Sequence, residues 1–252
     1  MQKENTRAGK CALSQTLLDI YFFLLKEYGR QGWWPLIHYR GCNPTKTGSV
    51  TGYHPGNYDL PETRDQVFEI CLGAILTQNT SWPQVEKALR NLQRSNGLNP
   101  EGILNMDIEI LKGHIKPAGY FNQKAKKVIV FTRFFSRLGQ NQIPDRSELL
   151  GLWGIGPETA DSMMLYAFKV PTFVIDAYTR RIFSHLKFIH EKSSYDQVKS
   201  LFEENLPRDL IIYQEFHALI VEHAKRFYHK GGSRKQCPLF LKGTYSFTTT
   251  SR

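Results

Sequence analysis

The sequence predicts an all-α fold, on three observations. Apolar residues recur at helical spacing along most of the chain, alternating strand patterns are almost absent, and two helical segments near residue 155 are joined by a two-glycine turn. The helical segments fall near 14–28, 62–79, 83–95, 121–138, 145–151, 157–168, 176–189, 195–206 and 209–229. Ser14, Ser81 and Asp145 stand where N-caps belong, and Gly29, Gly97 and Gly139 where helices end. Pro100, Pro117, Pro144 and Pro171 mark connections. Residues 30–61 have no clear period and read as a long loop, functional or disordered, with Trp33, Trp34 and Pro35 arguing against simple disorder. The tail after Lys230 carries little functional signal, and its residues from Ser246 are expected to be poorly ordered.

A chain of 252 residues with 41% hydrophobic content can bury a full core, in one domain or two closely joined lobes. Its net charge of +10, from 33 basic and 23 acidic residues, favours a polyanionic partner without distinguishing DNA from RNA or a membrane surface. Cys11, Cys42, Cys71 and Cys237 form no metal or disulfide framework, which fits a reducing compartment. The apolar run Ile20 to Leu25 is too short to span a bilayer, and the N-terminus lacks a secretory pattern. The expectation is a soluble, cytoplasmic monomer with no membrane partner.

The run from Leu152 to Asp161, Leu-Trp-Gly-Ile-Gly-Pro-Glu-Thr-Ala-Asp, is the most informative stretch. Two glycines around one apolar residue permit a tight turn, and Pro157 suits a first helical position. Such a turn between helices presents backbone N–H groups at a positive helix end, a site for a phosphate oxygen. Gly154, Ile155, Gly156, Glu158 and Thr159 are therefore candidates for holding a nucleic-acid backbone. An isolated Gly-x-Gly is most often a helix C-cap followed by an N-cap. Fifteen residues after Asp161, Asp176 precedes Ala-Tyr-Thr-Arg-Arg-Ile, so it also reads as a carboxylate at a helix N-terminus.

The hairpin, with Asp176 at its spacing, resembles the helix-hairpin-helix DNA glycosylase superfamily. Together with Trp33-Trp34-Pro35 and the run Phe68 to Thr80, it looks most like the bacterial 3-methyladenine DNA glycosylases of the endonuclease III type, over roughly residues 33–230. The resemblance implies a two-lobed fold with a DNA-binding cleft between the lobes. One lobe would span about 62–172 and the other 1–61 plus 173–230, with 231–252 a partly flexible tail. It implies Asp176 as the catalytic residue, Trp33, Trp34, Pro35 and Phe68 as the base pocket, and Gln78 as the side chain filling the gap left in DNA. Lys124, in the Gly119-Tyr-Phe-Asn-Gln-Lys124 segment, is a candidate for the DNA backbone, as are Lys126 and Lys127 after it, although a solvated charge run is the commoner reading of such lysines.

The implied activity is that of a monofunctional base excision repair enzyme. It would flip alkylated purines, 3-methyladenine first, out of double-stranded DNA and hydrolyse the N-glycosidic bond. A cationic purine suits indole rings, and a fixed carboxylate suits an oxocarbenium-like sugar. Glu158 stands where bifunctional relatives carry the imine-forming lysine, so strand cleavage is not expected. Cys237 alone in the C-terminal region cannot hold an iron–sulfur cluster, so no cofactor and no metal site are expected, beyond a monovalent cation that hairpin carbonyls hold elsewhere in the superfamily. His217 and His223 read as structural histidines. Two alternatives remain open: a uracil or mismatched-thymine glycosylase, separated by whether Trp33 and Trp34 face a pocket or the core, and a non-catalytic DNA-binding helix-hairpin-helix protein, which would not need Asp176. The implied location is the bacterial nucleoid.

Overall fold

The computed structural model describes residues 2–45, 51–229, 232 and 234–241, with residues 2–10 described by backbone only. Its described residues are helical, with no strand beyond one isolated antiparallel bridge between Cys42 and Thr51. The chain divides into two compact units, Gly32–Val170 and Met1–Gln31 with Pro171–Arg252.

The Met1–Gln31 segment contributes α1, Gln2–Tyr28, after which Gly29 takes a φ of +72°, the left-handed conformation of a glycine helix end. Ser14 is not an N-cap: it lies inside α1, where its hydroxyl donates to Asn205 Oδ1 at 3.3 Å.

In the Gly32–Val170 unit, α2 spans Arg64–Leu76, α3 Trp82–Arg94, α4 Pro100–Asn105, α5 Ile108–Ile115, α6 Phe121–Phe135, α7 Arg146–Leu150 and α8 Pro157–Ser162. A π-helical turn, Met163–Ala167, continues α8. Every residue of α2 from Phe68 to Leu76 is buried, so this helix is the centre of the unit. It packs on α3, α6, α8 and the π-helical turn. Thr63 starts it with a capping box, its hydroxyl accepting from Gln66 N–H while the Gln66 side chain accepts from Thr63 N–H.

Helices α4 and α5 lie where the sequence shows only connections. Both are too short to display a period, and both are set by local capping: Asn99 accepts from Gly102 N–H ahead of Pro100 at the first turn, and Asp107 accepts from Glu109 and Ile110 N–H.

Residues 32–61, expected with the chain termini, belong to the Gly32–Val170 unit. The described residues among them are held by named bonds: Ile37 N–H donates to Glu69 on α2 at 2.6 Å, Leu36 N–H to the Gly52 carbonyl at 3.0 Å, and the Thr51 hydroxyl accepts from Arg90 on α3 at 2.9 Å.

In the second unit α1 is joined by α9 Ala177–His185, α10 Tyr195–Asn205, α11 Leu210–Phe227 and α12 Pro238–Leu241. Helix α11 is its core, packed on α1 and α9. A stack of Phe173, Phe183, Phe202, Tyr213 and Phe216 fills the interior, with Phe173 and Phe202 face to face at 4.3 Å. The tail from Ser246 lies outside the described residues. No helix among the described residues is long and apolar enough to cross a membrane.

Candidate active site

The two-glycine turn adopts the geometry its residues allow. Gly154 has a φ of +84°, and a Cβ there would sit 2.6 Å from Lys127 Cε, so the glycine is required both by conformation and by the lysine stem crossing it. Gly156 caps α8 in extended backbone and would meet nothing within 4 Å, so its face is open. Ile155 between them is 6% exposed and anchors the turn, while Gly154, Gly156 and Glu158 are exposed. A bidentate pair braces the helices on either side: Arg146 Nε and one terminal nitrogen donate to the two oxygens of fully buried Asp161 at 2.7 and 2.9 Å.

Gln78, just beyond the end of α2, is docked on this turn. Its Nε2 donates to Thr159 Oγ1 at 2.9 Å and to the Gly154 carbonyl at 3.2 Å, and Lys127 Nζ donates to its Oε1. The hairpin, the end of α2 and α6 therefore share one amide. Tyr120, 70% exposed with a φ of +44°, stands at the N-terminus of the same α6.

The Trp33-Trp34-Pro35 segment forms an aromatic cluster with residues remote in sequence. Trp34 is 7% exposed and lies edge-on to Trp82 at 5.5 Å and Tyr166 at 5.3 Å. Its indole edge rests on Gly73, where a Cβ would come within 2.8 Å of Nε1. Trp33 is only partly buried, 6.3 Å from Tyr166 and 5.9 Å from Trp34 between ring centres. Trp34 thus belongs to the core and Trp33 to the surface of the cluster. Pro35 is buried beside them. His54 holds the segment from behind, with its two ring nitrogens 2.9 Å from the Trp34 carbonyl and 2.8 Å from the Asn57 carbonyl.

In the other unit, Asp176 is the N-cap of α9. Its Oδ1 accepts from Thr179 N–H at 2.7 Å and from Thr179 Oγ1 at 2.8 Å, which fixes the carboxylate plane. Its Oδ2 lies 3.8 Å from Nε2 of His217 on α11. Burial holds the proton affinity of His217 below that of an ordinary histidine, against the opposing pull of Asp176.

The sequence and the fold match known proteins. Residues 72–208, more than half of the chain, fit the HhH-GPD superfamily of base excision DNA repair proteins. The chain belongs to that superfamily. This DNA glycosylase is 42% identical over 235 residues to a protein of Methanocaldococcus jannaschii that carries the provisional name DNA repair glycosylase, covering 89% of this chain and 94% of that one. It is 28% identical to the endonuclease III of Sulfolobus acidocaldarius over 175 residues, 68% of this chain and 77% of the other. Among solved structures, the H. pylori 3-methyladenine DNA glycosylase bound to 1,N6-ethenoadenine aligns with a TM-score of 0.62 at 26% identity, covering 86% of this chain and 97% of that one. A non-covalent endonuclease III–DNA complex aligns with a TM-score of 0.69 at 19% identity over 90% and 94%, and shares the fold.

Two expected site residues of the glycosylase are corrected by the structure. Lys124 is 2% exposed, and its Nζ donates to the carbonyls of Leu76 at 2.7 Å and Ala118 at 2.8 Å, so it caps α2 from inside and does not reach a DNA backbone. Burial first, and Lys127 second, push its proton affinity down to about 8. Phe68 has no exposed surface and packs on Phe131 and Phe135 at 6.2 and 5.2 Å, which makes it core and not pocket wall.

The fold family also implies an iron–sulfur cluster in some members, and the donor set here does not fit one. Cys237 is the cysteine of the C-terminal segment, and its buried thiol lies 3.1 Å from His223 Nε2. Among the described residues no three His, Cys, Asp or Glu side chains are grouped to hold a metal ion. Of the hairpin carbonyls, Gly154 accepts from Gln78, Leu152 from Ile155 N–H and Gly156 from Ala160 N–H.

Lys127 is among the lysines the sequence offers for a phosphate, and the structure sets it on Gln78 and across Gly154. Tyr166, Trp82 and Thr179 escaped the sequence reading as site residues. Tyr166 and Trp82 had no usable signal, because only the fold brings them to Trp34.

Proposed function

We propose that this glycosylase is monofunctional and releases alkylated purines, 3-methyladenine among them, from double-stranded DNA to leave an abasic site. The observation that carries the reading is Trp33, a partly exposed indole set against Tyr166 and backed by the buried Trp34. A purine bearing a positive charge gains from an electron-rich face of this kind, whereas a neutral pyrimidine depends on hydrogen bonds to its edge. The likeness to the H. pylori 3-methyladenine glycosylase supports the same base class.

Asp176 would supply the chemistry at the sugar. Locked by Thr179, its carboxylate offers a preorganised negative charge to the oxocarbenium-like sugar that forms as the base departs. An alkylated purinium is already a good leaving group, so a strong general acid is not required. Glu158 occupies the hairpin position from which an amine would attack the sugar, and a carboxylate forms no imine, so the strand stays intact. Gly154, Ile155, Gly156 and Thr159 would hold the DNA backbone, with Gln78 delivered from the turn into the gap left by the flipped base. No cofactor enters this scheme.

The test is chromatography of bases released from methylated duplex DNA, with the product strand resolved on a denaturing gel before and after alkali. Release of 3-methyladenine, with breaks only after alkali, is the expected result. Asp176→Asn should abolish release and spare duplex binding. Uracil or mismatched thymine released in place of alkylpurines would replace this reading, and duplex binding with no base released from any of these substrates would remove the enzymatic one.

A further inference from the structure

The two oxygens of Asp176 have different surroundings. Oδ1 is occupied by both donors of Thr179, and Oδ2 is turned toward His217 Nε2, 3.8 Å away. That separation exceeds a direct N–H···O bond and is short enough for one oxygen to bond both atoms at about 2.8 Å once Nε2, which has almost no accessible surface, is opened to it. The Asp176 side chain keeps 12% exposure while the His217 side chain keeps 5%, so one face of the pair is open and the other is held rigidly in the packed interior of α11.

Two neighbouring titratable groups of α11 have partners of their own. Glu215 accepts from Gln31 N–H at 2.7 Å, and His223 meets the Tyr28 hydroxyl from α1 and the Cys237 thiol. Asp176, from the N-terminus of α9, is a charged group that faces His217 and opposes the effect of its burial.

We propose that Asp176 Oδ2 and His217 Nε2 together hold the attacking water, and that His217 takes its proton. The inference rests on the reading of Asp176 as the carboxylate at the sugar. The water oxygen forms its bond to the sugar C1′ as the C1′–N bond breaks. The bonding pair leaves with the base, so an N-alkylated purinium departs as the neutral purine, and one proton of the water passes to Nε2 and from there to solvent. Burial supports this division of labour, since it keeps the imidazole neutral and able to accept a proton. His217 would thereby act on the nucleophile while Asp176 steadies the sugar.

The experiment compares wild type, Asp176→Asn and His217→Gln in single-turnover release of whichever base the wild type excises, across pH. Glutamine keeps a polar group near the same point but cannot serve as the base. His217→Gln should lower the rate about 100-fold with KM unchanged, the scale of a lost proton acceptor, and should change the shape of the acid limb of the wild-type pH profile, leaving only the part that Asp176 sets. A rate within about 3-fold of wild type would overturn the proposal, being far short of that scale, as would an acid limb identical to that of wild type or a joint loss of rate and KM with a lowered melting temperature. Nitrogen-15 spectra of the wild-type imidazole rings test it without a variant: a neutral His217 with a bare Nε2 is expected, and a protonated Nε2 at neutral pH would refute it. Failure of the Asp176 reading shows separately, as an Asp176→Asn variant that still releases base.

Discussion

Replacing Glu69 with glutamine should abolish a pH dependence of stability that the wild-type carries between weakly acid and weakly alkaline solution. Glu69 is 4% exposed on α2, and its Oε1 accepts from Ile37 N–H at 2.6 Å. Burial pushes its carboxyl up from 4.5 to about 7, with the Ile37 bond and Arg90 only partly opposing. The folded value is raised, so the protonated acid is the form the fold prefers. Its contribution to stability is complete below the unfolded value of 4.5 and is lost as pH rises through about 7. At about 1.4 kcal/mol per unit, ionising the buried group costs about 3 kcal/mol at alkaline pH. Glutamine keeps an oxygen for Ile37 N–H and carries no charge. Urea unfolding at about pH 5 and about pH 8 should therefore give a variant-minus-wild-type difference that grows by about 2–3 kcal/mol with pH. A difference independent of pH would refute the argument, and would mean that solvent reaches Glu69 or that its partner compensates the charge.

Two further outcomes separate packing from DNA contact. Lys124→Met should leave the carbonyls of Leu76 and Ala118 without their donor and lower stability by about 2–4 kcal/mol, with no change in the salt dependence of duplex binding; a reduced salt slope in titrations would restore Lys124 to the DNA surface. Gly73→Val places a side chain where Trp34 Nε1 stands 2.8 Å from a Cβ, so alkylpurine release should fall while undamaged duplex binds as before, and unaltered release would show that the tryptophan segment does not depend on α2 for its position.

The hairpin was legible in the sequence because its chemistry is local: two glycines, a proline and one apolar anchor specify the turn within five residues. Asp176 was legible for the same reason, as an N-cap three residues ahead of Thr179. Lys124 and Phe68 misled because sequence does not display depth. A lysine among lysines reads as surface, yet this one closes the end of a buried helix. The Trp33-Trp34 segment divided in a way no pattern announces, since the partners that bury Trp34 come from Gly73, Trp82 and Tyr166. His217 reaches Asp176 from a helix more than thirty residues further along the chain, so its place at the carboxylate follows from the packing of α11 on α9 and from nothing in its own neighbourhood. Helices α4 and α5 were missed because six and eight residues are too few to show a period.

The bracket between Arg146 and Asp161 also limits how this chain can drift over generations. Losing the arginine removes two charged hydrogen bonds from a carboxylate with no exposed surface, at a cost of about 3–5 kcal/mol, a large share of the stability of an ordinary domain. An apolar pair of similar volume at both positions would be tolerated, but each single step toward it crosses a fold that barely holds. Positions 146 and 161 should therefore change together or stay as they are, and the spacing between the hairpin's two helices is inherited with them.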